Sequence, residues 1–344
     1  MNTLTRMTAQ NFAAFKDLSL EFKPGVNIFI GGNGTGKTHL LKTLYAACSI
    51  TDGADKDRGF SQKLIGVFTP CEGRPGRLAH RGSGSVTSKV TVKMGRKNIS
   101  AEFSNHTTST SSIKVTGEKK WKSDEVSCAY IPVKEMLAHA PGFLSTMSRR
   151  ELSFEEIYGD IISRAYLPPL KGPTGEKRKK ILNALQEAIE GKVTTKGEVF
   201  FLRNKQGNLE FTLLSEGMRK LALIWILTQN GVLTTGSILF WDEPEANLNP
   251  SRMGEVVEVI LGLQRLGVQV FVSTHNYVLL KEFELRSRKD DSLSYTALYR
   301  DDDGIIRHES VDRYKDLSAN KILDTYNSIY DREISSSVKG LKFD

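Results

Sequence analysis

The segment "VNIFIGGNGTGKTHLLKTLYAACSI", residues 26–50, constrains this chain more than any other. Val26 to Ile30 is a compact apolar run of the kind that forms a buried strand, and it enters glycines directly. From Lys37 onward the apolar residues fall at helical spacing. The "GGNGTGKT" between them fits the pattern G-x-x-x-x-G-K-[ST], with Gly32, Asn33, Gly34, Thr35, Gly36, Lys37 and Thr38 as candidate contacts. Glycines let backbone N–H groups turn inward around a phosphate, and the following helix N-terminus adds a favourable partial charge. The expectation is an α/β fold that binds a nucleotide here, with Lys37 reaching the β and γ phosphates and the Thr38 hydroxyl ligating Mg2+.

A phosphate loop needs an acid at the end of a second buried strand. "SILFWDEPEANLNP", residues 237–250, supplies one: Ile238 to Trp241 are apolar, and Asp242 and Glu243 follow at once. Asp242 is expected to hold the Mg2+ through its water shell, and Glu243, facing the other way, to polarise an attacking water. A further apolar run, Val268 to Val272, ends in Ser273, Thr274 and His275. At the carboxyl end of a strand beside the acid strand, His275 is placed to sense a γ-phosphate. Between these elements "LLSEGMRK", residues 213–220, puts a Ser-x-Gly at the start of a nearly all-apolar helix. Ser215 alone reads as an ordinary N-cap. Gly217 beside it permits close backbone approach, so this second helix start is also suited to an anion.

A phosphate loop, a Ser-x-Gly helix start, an Asp-Glu strand end and a strand-end His, in this order, resemble the ATP-binding cassette (ABC) ATPases. The similarity is to their soluble SMC, RecF and OLD-like branch and spans roughly Thr3 to Leu280. The layout resembles the short AAA_15/AAA_21-type ATPases, in which "NFAAFKDLSLEF" and "YIPVKEML" are typical kinds of segment. "LSEGMRK" and "EANLNP" depart from the transporter forms of these motifs. The resemblance implies an ATPase using ATP and Mg2+, and a homodimer joined head to tail through two ATPs. Ser215 and Gly217 of one protomer would then act on the nucleotide of the other, with Glu243 and His275 catalytic. It also implies a separate effector, a nuclease or toxin, as in anti-phage defence; a RecF-like DNA-binding ATPase in repair or recombination is the alternative. No glutamine stands near "YIPVKEMLAH", where the family has one; Lys134 or Glu135 is the candidate substitute. The 69 residues after His275 (344 minus 275) are few for the TOPRIM nuclease domain of OLD-like proteins. Asp301 and Asp303 read as a hairpin turn and not as a metal site.

The implied fold is an ABC-ATPase head in one domain: a nucleotide-binding core at 1–50 and 199–290, an antiparallel β insertion at 51–130, a helical lobe at 131–198, and a C-terminal hairpin and helix at 291–344. In the insertion "KLIGVF", "SKVTVKM", "ISAEF" and "SIKV" read as short strands. In the lobe "FEEIYGDIISRAYL" and "RKKILNALQEAIE" read as helices, and from Val199 the chain is expected to return to a mostly parallel sheet. The charged "EKRKK" at 176–180 reads first as a solvated helix face.

Charge adds a partner. Between Phe60 and Lys122 twelve Lys/Arg face three acids, a local net of twelve minus three, +9, in a chain whose total is +8. Such a segment suits nucleic acid, with Arg74, Arg77 and Arg81 as candidate contacts, or it is a solvated strand surface. Three scattered cysteines argue against a disulfide framework or zinc site, and the absence of a signal-like or membrane-length apolar run suggests a cytoplasmic protein without a membrane partner.

Overall fold

The computed structural model describes residues 2–53, 55–150, 154–319 and 321–340. The remaining residues of the four expected segments, among them 151–153 of the lobe and 341–344 of the C-terminal helix, lie outside the described residues. In chain order the first elements are β1 (Leu4–Phe12), β2 (Phe15–Glu21), β3 (Val26–Ile30), α1 (Lys37–Ser49), α2 (Phe60–Phe68), β4 (Thr87–Met94), β5 (Lys97–Ser104), β6 (Lys114–Thr116), α3 (Glu118–Trp121) and β7 (Cys128–Ile131). The lobe follows with α4 (Phe143–Arg150), α5 (Glu156–Ala165), α6 (Glu176–Ala188), β8 (Lys192–Lys196), β9 (Val199–Asn204) and β10 (Gly207–Glu210). Then come α7 (Glu216–Gln229), β11 (Ile238–Asp242), α8 (Met253–Leu266), β12 (Gln269–Thr274), α9 (Tyr277–Arg286), β13 (Leu293–Arg300), β14 (Ile306–Val311) and α10 (Lys321–Gly340).

A six-stranded sheet in the order β14-β13-β3-β12-β11-β7 carries the core. Its strands from β13 to β7 are parallel, and β14 closes one edge antiparallel. Every residue of β3, β11 and β12 is buried, the run of apolar side chains that a parallel strand covered on both faces requires. Alternate residues serve different cores. Ile28, Leu239 and Val272 pack with α7, α8 and α9, whereas Phe29, Phe240 and Phe271 pack with α1, α2 and the second sheet. The rings of Phe240 and Phe271 stack with centroids 5.2 Å apart.

The second sheet, β2-β1-β4-β5-β6, is antiparallel throughout. In β4 Ser88, Val90, Val92 and Met94 are buried and their neighbours are not, the period-two pattern of a half-buried strand. The β insertion is therefore no free-standing unit: β4 pairs with β1, and the sheet begins at the N-terminus.

Three expectations are corrected. "KLIGVF" lies in helix α2, where Phe60, Lys63, Leu64 and Val67 are buried at helical spacing; a window of alternation hid the longer period. "SIKV" does lead into a strand, but only from Lys114, in the three-residue β6 that ends at Thr116. The parallel sheet resumes at β11 and not at Val199, because β9 and β10 pair antiparallel with β8 in a three-stranded sheet that belongs to the lobe. The two lobe helices and the Asp301–Gly304 turn between β13 and β14 are where the residues indicated. No described helix is long and apolar enough to cross a membrane.

Candidate functional site

Register puts the chemistry on one edge. Ile30 pairs with Thr274, and Ser273 with Asp242, so β3, β12 and β11 end together and release the phosphate loop, the His275 turn and the acid turn side by side. Gly34 (φ +75°) and Gly36 (φ +92°) hold backbone conformations that side chains resist. A Cβ on Gly36 would lie 2.6 Å from the Phe15 ring. Thr35 Oγ1 donates to Gly32 O at 2.9 Å, and Lys37 Nζ to Gly31 O at 2.7 Å and Gly32 O at 3.1 Å. Burial lowers the Lys37 pKa, and Glu243, Asp242 and Glu245 oppose that shift. A desolvated ammonium gains from an anion brought close to it, which is what a bound phosphate would supply.

Asp242 is buried, with Tyr130 Oη donating to one carboxylate oxygen at 3.1 Å and the Ser273 hydroxyl to the other. Burial holds the Tyr130 phenol well above its ordinary pKa, so it stays a donor. Glu243 turns away from Asp242, as expected: its Oε1 lies 3.1 Å from His275 Nδ1, and its backbone N–H donates to Ser273 O at 3.1 Å. It does so at φ +47°, a strained conformation for a non-glycine residue of the kind found at functional sites. The buried Asp242 carboxylate, and the hydroxyl of Thr38 in the first turn of α1, are oxygen donors of the kind Mg2+ takes.

Sequence reading missed Glu245. Its buried Oε1 accepts from Thr274 Oγ1 at 2.6 Å and from the His275 backbone N–H at 3.2 Å, and so fixes the turn that presents His275. The available signal was the acid two residues past Glu243 in "DEPE".

The Ser-x-Gly start does not join this edge. Ser215 Oγ accepts from Met218 N at 3.4 Å, a plain N-cap, and no hydrogen bond among the described residues links Ser215 or Gly217 to the phosphate loop. Instead α7 is braced to the acid turn. Asn247 Nδ2 donates to Glu216 Oε2 at 2.7 Å, fully buried Lys220 donates to Ala246 O at 2.8 Å, and a Cβ on Gly217 would lie 2.5 Å from Leu248 Cδ2. Glu135 is buried against Arg219 of the same helix at 2.7 Å, while Lys134 is exposed. Glu135 thus ties the chain after β7 to α7.

The basic segment is less open than its charge suggests. Lys63 is buried; Arg74 pairs with Glu72 at 2.5 Å, Lys89 with Glu102 at 3.3 Å, Lys97 with Asp124 at 2.6 Å and Lys122 with Glu118 at 2.9 Å. Arg77 and Arg81 are exposed on the chain that runs beside Asn11–Ala13, next to the loop-contacting Phe15.

The sheet order and the residues gathered at its edge define an ABC-type P-loop ATPase of the SMC/RecF-like kind. The chain belongs to the AAA_21 family, "AAA domain, putative AbiEii toxin, Type IV TA system", whose profile matches residues 95–281. Among curated proteins it is similar to the DNA replication and repair protein RecF of Lactobacillus acidophilus, 52% identical over 42 residues, 12% of this chain and 11% of that one. RecF of Limosilactobacillus fermentum is 35% identical over 79 residues, 22% of this chain and 21% of the relative. The matched region thus spans about a fifth or less of these relatives' length. Among solved structures, an Smc head bound to the C-winged helix domain of ScpA aligns over 91% of this chain and 98% of its own, with TM-score 0.54 and 12% identity. The Pyrococcus furiosus Smc head with an extended coiled coil, bound to the C-terminal domain of ScpA, aligns over 95% and 100% with TM-score 0.52 and 11% identity. These two likenesses establish the fold.

Proposed function

We propose that two copies of this chain hold two Mg-ATP molecules between them, head to tail, and hydrolyse them to control a separate effector protein. The observation that carries the reading is the separation of two anion-binding helix starts within one chain. The start of α1 shares an edge with Asp242, Glu243 and His275, whereas the start of α7 is braced to Ala246–Leu248 and has no bond to residues 31–38 among those described. Each is half of a phosphate site, and a second copy supplies the other half through Ser215 and Gly217.

Within each site the backbone N–H groups of residues 32–38 and Lys37 bind the phosphates. Thr38 and Asp242 would hold magnesium, which when bound neutralises charge on the phosphoryl oxygens. Glu243 accepts the proton of a water as its oxygen bonds the γ-phosphorus and the bond to ADP breaks. His275 orients the Glu243 carboxylate from 3.1 Å and faces the departing phosphate. Glu243→Gln keeps the shape of the side chain and removes the base. That variant should elute as an ATP-dependent dimer with turnover reduced about 100-fold or more; a monomer with turnover intact would end this reading.

The effector is a nuclease or toxin restrained or released by the ATP state, as in anti-phage systems, a reading supported by the toxin-system description of the family. A second reading, a RecF-like DNA-binding ATPase, is favoured by the RecF relatives and by exposed Arg74, Arg77 and Arg81 on the segment that bonds Asn11 and Ala13.

A further inference from the structure

We propose that Arg300, at the end of β13, is a positioning residue for the phosphate loop: it fixes the Gly34–Thr35 peptide so that its N–H faces the phosphate side. This deepens the nucleotide reading and rests on it. Arg300 lies outside residues 95–281, the span of the family match, and outside every motif that the sequence offers. Its Nη2 donates to Gly34 O at 2.8 Å and its Nη1 to Gly304 O at 3.0 Å.

A trans peptide is planar, so its C=O and N–H point in opposite directions. Drawing the Gly34 carbonyl outward to a guanidinium therefore turns the Thr35 N–H the other way, into the loop. Gly34 at φ +75° has no side chain to stop that peptide from rotating. Arg300 supplies the missing restraint with a charge-assisted bond. The same strand carries the base of the loop, because β13 pairs with β3 through Ala297 and Ile30, and Leu298 O would lie 2.3 Å from a Cβ on Gly31. The far end of the clamp is firm as well. In the hairpin tip Gly304 N donates to Asp301 O at 2.9 Å and Ile305 N to Asp301 Oδ1 at 2.8 Å. The C-terminal hairpin thus acts as a splint that holds the loop in its binding shape.

Arg300 is exposed, so its removal should leave the fold intact. Arg307 lies on the same hairpin, is paired to Asp301 and has no bond to the loop, which makes it the control. The experiment measures the Mg-ATP dissociation constant by calorimetry, together with KM and kcat, on the full chain and on Arg300→Ala, Arg300→Lys and Arg307→Ala. A restraint on the cradle acts equally on bound substrate and transition state, so Arg300→Ala should raise Kd and KM about tenfold and leave kcat within about twofold. Lysine reaches one carbonyl and not both, and should fall between; Arg307→Ala should match the unaltered chain. Unchanged affinity in Arg300→Ala, or an equal loss in Arg307→Ala, overturns the proposal while the nucleotide reading stands. An unaltered chain that binds no Mg-ATP overturns that reading, and the proposal with it.

Discussion

Glu245 is a buried carboxylate serving as a bracket, and burial raises its pKa above the usual carboxylate value against the pull of Thr274 and the backbone N–H groups. The folded chain then keeps a proton that the unfolded chain has released. Stability present below the unfolded value of about 4.3 is lost as pH rises through the folded value. Glu245→Gln can still accept from Thr274 and His275 but no longer titrates. Its urea midpoint should therefore fall less between pH 4 and pH 8 than that of the unaltered chain, and equal pH slopes would refute the assignment. Glu245→Ala should cost about 1–3 kcal/mol at either pH, because the buried Thr274 hydroxyl and the part-buried His275 N–H lose their acceptor. The placement of these residues was legible in the sequence: Lys37, Asp242, Glu243 and His275 share one edge, as their strand-end positions implied. Glu245 was not, because an acid in a turn looks solvated until the strand that covers it is known.

Among elements, α5 is the one whose attachment no local pattern announced. Its Asp160 accepts from Lys63 Nζ at 2.7 Å and from Tyr45 Oη at 2.6 Å, Asp55 accepts from Lys63 at 2.8 Å, and Arg164 meets Asp52 at 3.2 Å. Lys63 is fully buried, yet its pKa is raised, because Asp160 and Asp55 outweigh the downward pull of burial. This ionic knot pins α5 of the lobe onto α1, the helix that follows the phosphate loop. Lys63→Met should destabilise the chain by about 3–5 kcal/mol in urea unfolding, since it takes the shared ammonium from buried Asp55 and half-buried Asp160. Adding Asp160→Asn should recover part of that loss; a cost under about 1 kcal/mol for the single change would show the knot to be solvated. The partners of Lys63 stand 8 and 97 residues away, outside the six residues of "KLIGVF", so that segment alone read as a strand and its lysine as surface charge.

For the whole molecule, the sheet order is what sequence could not supply. Alternating strands and helices announced a parallel sheet, but that β13 would cross to the far side of β3 and that β4 would complete a sheet begun by β1 depends on pairings distant in the chain. The same blindness inflated the positive surface: the acids that meet Lys63 and Lys97 lie outside the stretch from Phe60 to Lys122 over which the charge was summed. If the chain grips DNA, its log affinity should fall with log salt, and Arg77→Ala and Arg81→Ala should each reduce that slope by about 0.9 for every phosphate left without its arginine. Arg74→Ala should do less, because Glu72 already neutralises Arg74 at 2.5 Å. Slopes unaltered by all three changes would remove this face from the binding surface.

The brace between α7 and the acid turn has a consequence at the level of populations. Glu216, Lys220 and Gly217 fasten the outward-facing helix start to the turn that begins at Glu243. In the proposed pair every catalytic centre is then a joint product of two chains. A defective copy does not merely fall silent; it spoils a centre of the sound copy it joins, so the share of impaired pairs exceeds the share of damaged chains.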